Sequence, residues 1–437
     1  MIVMKFGGTS LADAAHIRVV EGIVRRHLPR KPALVVSAHG GVTNLLDELA
    51  RKAVRGSYSL DALRGRHVSI LRELGLPGDL HEPFFTELDD LLRGISLVGE
   101  LTPRSLDYVL SFGERMSVRA VAAHFEKAGI PATPLDAFDA GLVTDSNFGR
   151  ARPLPESAGE IKRRIGEVRG LAVITGYIAK DLRGNITTLG RNGSDFSGAI
   201  FGNALDAEEI QIWTDVDGVL TADPRIVPEA QPLPEISFDE ASELAYYGGK
   251  VLHPATLLPA VAKNIPVRVL NTKNPSSPGT VILKEAKPSS SPVRSVVYKR
   301  EVHLINVSST RMLGQPGFMA KLFAVFDRHE IVIDMIATTE VSVSMTTDSS
   351  RNLEEAIREL RSFADVTAES GRAIVCLVGH GIQKAIDVPG RVFATLAEEG
   401  IRVQMISQGA LRVNVGFIVN NDEVAPAVKA LHRTFFG

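Results

Sequence analysis

From about residue 295 onward the chain repeats itself with an offset of 70 residues: Phe323 answers to Phe393, Phe326 to Leu396, Ile331 to Ile401, Ile333 to Val403, Met335 to Met405 and Ile336 to Ile406. Two copies of one small unit are the simplest account. In each copy a Pro-Gly pair (316–317 and 389–390) opens a helix. Strands at 331–336 and 340–346, or at 401–406 and 410–419, come next, and helices at 352–363 and 422–435 close the unit. The order βαββα in so short a segment predicts a ferredoxin-like α/β sandwich, whose antiparallel sheet needs helices on one face only. Modules of this kind bind and pair more often than they catalyse.

Ahead of the repeat the pattern is different. A short apolar run at 2–6, broken by Lys5, leads through Gly7-Gly8-Thr9-Ser10 into LADAAHIRVVEGIVRRHL, whose apolar residues fall at helical spacing. Similar runs at 33–37, 171–175, 210–214 and 267–270 alternate with helical segments, which predicts an α/β domain with a mostly parallel sheet covered on both faces. Residues 45–130 read as a helical elaboration ending in an amphipathic run from 105 to 128. The segments 271–280 and 287–292 are dense in Pro and Ser and predict extended or linker structure, with a boundary near 285–295.

Composition removes several function classes. At roughly 150 residues per domain, 437 residues suggest about three domains. A net charge of -2 lacks the basic excess of a nucleic-acid binder. No apolar run approaches the ~20 residues needed to cross a bilayer, and the apolar run at the N-terminus is too short for a signal peptide. The single cysteine, Cys376, leaves no disulfide framework and no cysteine-built zinc site, reads as inert core, and fits a reducing, cytoplasmic compartment.

Five motifs carry candidate chemistry. KFGGTS (5–10) places a lysine at a strand end and two glycines at the turn into a helix, where backbone N–H groups and a positive dipole end meet a phosphate. It is neither GxGxxG nor GxxxxGK[ST], so a Rossmann dehydrogenase and a Walker-type ATPase are both disfavoured. GRNGSD (190–195) precedes another helical run, with Ser194 or Asp195 as its expected N-cap and Arg191 able to hold a carboxylate through two bonds. TDVDG (214–218) sits at the carboxyl end of a strand, where open α/β sheets bind ligands; it lacks the further ligands of a calcium loop. SFGERMS (111–117) interrupts a helix with a glycine, an expense of ~1 kcal/mol that suggests close approach to the backbone. Its Glu114 either binds an amino group or faces water. GGKVLHP (248–254) adds a second lysine beside glycines, with His253 read as structural.

In this order the motifs resemble the aspartate kinase family, in its single-function form with two C-terminal ACT domains. KFGGTS, VTNLL (42–46), SFGERMS, GRNGSD, TDVDGVLTADPR (214–225) and GGKVLHP are separate matches spread over nearly the whole chain, and TTEVSVSMT (338–346) resembles the lysine-sensitive branch. The resemblance implies an amino-acid-kinase catalytic domain over 1–290 and ACT-like regulatory domains over 296–370 and 371–437, with strands free to interleave between the two. It implies transfer of phosphate from ATP, with Mg2+, to the side-chain carboxylate of L-aspartate, giving 4-phospho-L-aspartate. Lys5 and Asp195 take catalytic roles. Thr43, Glu114, Arg191 and Ser194 bind the amino acid, and Gly7, Gly8, Ser10, Thr214, Asp215, Arg225 and Lys250 the nucleotide. No protein ligand to the metal is implied. Met312, Gly317, Phe318, Asp334, Thr338 and Thr339 would receive an inhibitory amino acid, most simply lysine, with Glu340 equal to Asp334 on charge alone. A homodimer or larger assembly through the ACT modules follows as well, with neither nucleic acid nor membrane as a partner. The chain departs from the family at Asn192, where Gly is common, at Leu220, where a Tyr is common, and at Val332, where lysine-sensitive relatives carry a hydroxyl.

Overall fold

The computed structural model describes the chain except residues 249–253, 288, 290, 310–311, 313–315 and 410–412. Its residues divide into two compact units: the first spans 1–219, 234–238 and 251–286, the second 220–233, 239–250 and 287–437.

The first unit is built on an eight-stranded sheet in the order Ala132–Leu135, Leu171–Thr175, Pro32–Val36, Ile2–Phe6, Glu209–Thr214, Val267–Asn271, Thr280–Leu283 and Glu235–Ser237. Pairing is parallel from the first of these strands to Val267–Asn271, and Thr280–Leu283 then runs antiparallel to it. Every residue of the strands Ile2–Phe6, Pro32–Val36 and Leu171–Thr175 is buried, as an apolar run covered on both faces requires. At about 1.5–3 kcal/mol per buried aliphatic side chain, this core overrides the charge of Lys5 at the end of the central strand. Four helices, Val42–Ala53, Asp61–Leu74, Glu82–Val98 and Pro103–Lys127, make up the expected helical elaboration. Thr102 caps the longest by accepting from the Ser105 N–H. Within it a Cβ at Gly113 would stand 2.8 Å from the Ala38 Cβ, so the glycine lets the Ser37–Gly41 loop approach.

Two sequence expectations shift here. The long helix after KFGGTS starts at Ala14, behind a single 3-10 turn at Thr9–Leu11, because Asp13 takes the cap by accepting from the His16 N–H. The glycine turn therefore does not stand at that helix's N-terminus. The helix after GRNGSD spans Gly193–Ala204 with Asn192 as its N-cap at φ 55°, so Ser194 and Asp195 lie inside its first turn. Left-handed backbone is what Asn tolerates best after Gly.

The second unit is one six-stranded antiparallel sheet, ordered Ile336–Thr338, Ser342–Thr347, Ser295–Ser308, Asp365–Val378, Asn414–Asn420 and Met405–Ser407. Each copy of the repeat contributes three strands. The two 14-residue strands pair with one another at the centre, from Ser295 opposite Val378 to Ser308 opposite Asp365. The position 370/371 lies inside the continuous strand Asp365–Val378. The helices Phe318–Arg328 and Leu353–Leu360 bury their apolar faces in one core, and Val388–Glu398 and Val424–Phe436 in another. Residues 331–335 and 401–404 are not strand, although the Asp334 N–H donates to the Thr346 carbonyl at 2.7 Å. The regular ladder starts later, at Ile336 and Met405. Cys376 is fully buried, with its thiol pushed up by burial.

Candidate active site

Lys5 leaves the central strand at its carboxyl end and meets Asp195 from the first turn of the helix Gly193–Ala204, Nζ to Oδ1 at 2.6 Å. Both side chains are largely buried, and the approach is angled as an ion pair rather than as a directed hydrogen bond. The pair opens into a cavity of about 490 Å³ whose walls include Gly8, Thr43, Glu114, Arg191 and Ser194. Seven residues expected from four distant motifs thus meet at one place. Gly7 lies beside them: a Cβ there would stand 3.3 Å from the Lys5 Nζ.

Backbone approach shapes the walls of the cavity. A Cβ on Gly8 would lie 3.0 Å from the Ala38 carbonyl oxygen, and one on Gly40 3.1 Å from that of Gly8, so the two loops touch main chain to main chain. Opposite them, Gly190 (φ 80°) passes the Gly149 carbonyl at a distance that leaves no room for a side chain. Asp107, buried in the long helix, binds both segments: it accepts from the Gly149 N–H at 2.8 Å, the Thr188 N–H at 2.9 Å and the Thr188 hydroxyl at 2.8 Å. Burial nevertheless raises its carboxyl above the ordinary value. Arg191 itself is exposed and carries no carboxylate partner among the described residues.

Glu114 does not face water. It is 3 % exposed, its Oε1 accepts from the Ala38 N–H at 3.2 Å, and its Oε2 is buried with no partner. Burial pushes the carboxyl up to about 8, against the opposing pull of the Ala38 N–H. A cation arriving at Oε2 would complete the site and ionise the acid.

The cavity also holds residues that sequence reasoning missed: Ser37, Ala38, His39, Gly40, Gly41, Gly149 and Tyr177. The first five flank VTNLL directly, a signal within reach. Tyr177 holds φ 64° with its N–H on the Ser197 hydroxyl, and no local pattern announces it. His39 hydrogen-bonds the Leu11 carbonyl through Nδ1 at 2.7 Å, while its ring packs on His67 and that on His81, centroids 5.3 and 5.1 Å apart. All three are buried, and burial lowers His39 and His81 to about 4.

Other expected residues lie elsewhere. Ser10 is buried, its hydroxyl 3.0 Å from that of Thr272. Thr214 ends its strand with its carbonyl taken by the Thr272 N–H and hydroxyl, and the neighbouring Asp215 is exposed; neither lines the cavity. Arg225 falls in the second unit, held on Asp223 at 2.6 Å. Lys250 and His253 lie outside the described residues. Among the described residues no group of three or more His, Cys, Asp or Glu is placed to hold a metal ion, and no described helix is long and apolar enough to cross a membrane.

In the second unit, Met312 and Phe318 pack on the core of the first copy, Gly317 caps the helix Phe318–Arg328 at φ 89°, and Thr338, Thr339 and Glu340 are exposed. The Asp334 side chain is 2 % exposed and already occupied: Lys299 Nζ lies 2.8 Å from its Oδ1 and the Tyr246 hydroxyl donates to the same oxygen at 3.0 Å. Burial raises this carboxyl despite Lys299.

Residues 1–271 match the Amino acid kinase family, and residues 305–362 and 375–435 match the ACT domain. Aspartokinase 1, chloroplastic, of Arabidopsis thaliana is 40% identical over 455 residues, covering 99% of this chain and 80% of that protein. Lysine-sensitive aspartokinase 3 of Escherichia coli is 36% identical, covering 100% and 99%. The crystal structure of E. coli aspartokinase III with aspartate and ADP (R-state) aligns over 100% of both chains at TM-score 0.87 and 34% identity. The structure of that enzyme with lysine and aspartate (T-state) aligns at TM-score 0.81 and 33% identity, again over 100% of both.

Proposed function

This chain belongs to the aspartokinases of the amino acid kinase family, and we propose that its cavity binds L-aspartate against Glu114 and Arg191 and transfers the γ-phosphoryl group of ATP to the side-chain carboxylate. The product is 4-phospho-L-aspartate, at the head of lysine, threonine and methionine synthesis. The observation that carries the site assignment is the buried, unpartnered Oε2 of Glu114 in the same cavity as the Lys5–Asp195 pair.

A carboxylate is already a nucleophile at neutral pH, so the obstacle is the repulsion between it and a polyphosphate. Glu114 takes the α-ammonium, Arg191 the α-carboxylate through its two-pronged guanidinium, and Thr43 and Ser194 hydrogen-bond beside them. Held so, the side-chain oxygen attacks the γ-phosphorus as the bond to the bridging oxygen breaks and ADP leaves; no proton changes hands. Lys5 offsets the charge on the transferring group, and Asp195 holds Lys5 in place. Gly7 and Gly8 bring backbone close to the phosphates. Ser10 supports that turn from below, and Thr214, Asp215, Arg225 and Lys250 serve the nucleotide. Mg2+ fits a cavity whose two carboxylates, Glu114 and Asp195, form no ligand cage, since it keeps much of its water and is held by phosphate oxygens; when bound it would neutralise phosphate charge.

Catalysis belongs to residues 1–290 and regulation to 296–370 and 371–437. Lysine inhibits by binding the first copy near Met312, Gly317, Phe318, Asp334, Thr338 and Thr339, and the ACT modules pair two chains. The cytoplasm is the compartment that one buried cysteine suits. With MgATP and L-aspartate the protein forms an acyl phosphate that hydroxylamine traps as a hydroxamate. L-glutamate, its reacting oxygen displaced by about a bond length, turns over ~100-fold less efficiently; equal turnover of the two overturns the aspartate assignment.

A further inference from the structure

The carboxylate expected to receive an effector's ammonium already holds one. Lys299 Nζ sits 2.8 Å from Asp334 Oδ1 and 2.9 Å from Asp348 Oδ2, and 5.4 Å from the centre of the Tyr246 ring. Two carboxylates and an aromatic face are what a free alkylammonium would seek. The strand bearing Lys299 is irregular just there: its register with Asp365–Val378 shifts between Lys299 and Val302, and Glu301 takes φ 58°. Such bulges re-aim side chains.

We propose that Lys299 is a tethered occupant of the effector cage, an internal copy of the lysine ammonium that a free amino acid must displace before it can bind Asp334. This rests on the reading of Asp334 as the effector's carboxylate. With Asp334 Oδ1 taken by Lys299 and Tyr246, the unpartnered Oδ2 buried and the side chain 2 % exposed, neither oxygen is open to an incoming ammonium until Lys299 or Tyr246 withdraws. Asp348, about half exposed, gives the displaced Nζ an anion to keep. Lys299 thereby sets the threshold concentration for inhibition rather than the existence of the site.

The test is a titration of the full-length enzyme with L-lysine, read by ADP release and by calorimetric L-lysine binding. Lys299→Met, which keeps the apolar stem, should lower the half-inhibiting concentration by about tenfold and leave kcat without lysine within about twofold. Lys299→Arg, which keeps a cation in the cage, should behave as wild type. Should Lys299→Met be too unstable to assay, Lys299→Gln is titrated in its place with the same expectation. An unchanged or raised half-inhibiting concentration in the uncharged variant, with Asp334→Ala still abolishing inhibition, overturns the tether and leaves the effector reading standing. If neither wild type nor the uncharged variant binds L-lysine, both fall together.

Discussion

Each unit of the molecule contains a buried lysine–aspartate pair, and the two are buried in opposite ways. In the first unit Lys5 and Asp195 are 2.6 Å apart with side chains 9 % and 14 % exposed; both line the cavity, and it is the cation that lies deeper. In the second, Lys299 and Asp334 are 2.8 Å apart at 20 % and 2 %, and it is the anion that lies deepest, with one oxygen unpartnered. Buried ion pairs are weak sources of stability, since desolvation offsets most of the attraction. Both pairs make better sense as charges held ready for a ligand. The second copy of the repeat supplies the contrast: Gln404 stands 70 residues beyond Asp334. Its side-chain amide donates to Asn420 at 3.0 Å and its N–H to the Ile418 carbonyl at 2.9 Å. The copies share the fold and differ in the charge at this position.

The sharpest way to separate the pairs is Lys5→Ala, which should lower kcat by about 100- to 1,000-fold without moving the half-inhibiting lysine concentration. A kcat within about twofold of wild type, worth only ~0.4 kcal/mol, would remove Lys5 from the chemistry. Next in size, Arg191→Ala should raise the aspartate KM by about tenfold or more while the ATP KM moves little; parallel rises would place Arg191 on the nucleotide. In the other unit, Asp334→Ala should abolish inhibition by millimolar lysine with uninhibited kcat nearly intact, whereas Gln404→Ala should change neither. Equal effects of the two would erase the distinction between the copies.

Smaller effects come from groups that the first unit keeps neutral. With its carboxyl at about 8 rather than 4.5, folded Glu114 retains a proton that the unfolded chain has lost between those values. Its contribution to stability is therefore present below about pH 4.5 and lost as pH rises toward 8. Glu114→Gln should flatten that part of the melting-temperature profile, and aspartate binding to wild type at pH 7 should release up to about one proton, read by calorimetry in buffers of different ionisation enthalpy. The buried histidines work in the reverse direction. His39 and His81, near 4 instead of 6.5, charge first in the unfolded chain, so stability falls as pH drops from about 6.5 toward 4. Arg66, Arg119 and Asp13 are the charged groups that act on them. Replacing His81 by Phe should shrink that acid-side slope, by the smallest change of the set.

Much of this could be read in advance because local rules are strong where apolar runs and glycines are dense. Fully buried strands announce a two-sided sheet, Gly113 announces a close approach, and the repeat announces a doubled module. Lys5, Thr43, Glu114, Arg191 and Asp195 were legible because each lies in a motif whose residue types fit a phosphate or an amino acid.

What lay beyond the sequence was a matter of competition between neighbouring caps or of partners distant along the chain. Asp13 and Asn192 outcompeted their neighbours for helix starts by side-chain and backbone geometry that spacing does not encode. Tyr177 joins the cavity through a left-handed turn after the strand Leu171–Thr175, held by the Ser197 hydroxyl, and Arg225 falls with the second unit because residues 220–233 cluster with it. The sequence by itself determined which residues carry charge, which segments must be buried and that one module occurs twice. Only the tertiary structure decided that Glu114 is held away from water and that the ammonium on Asp334 is the chain's own. Burial and pairing are set by what packs against a group across tens or hundreds of residues, and no local pattern records that distance.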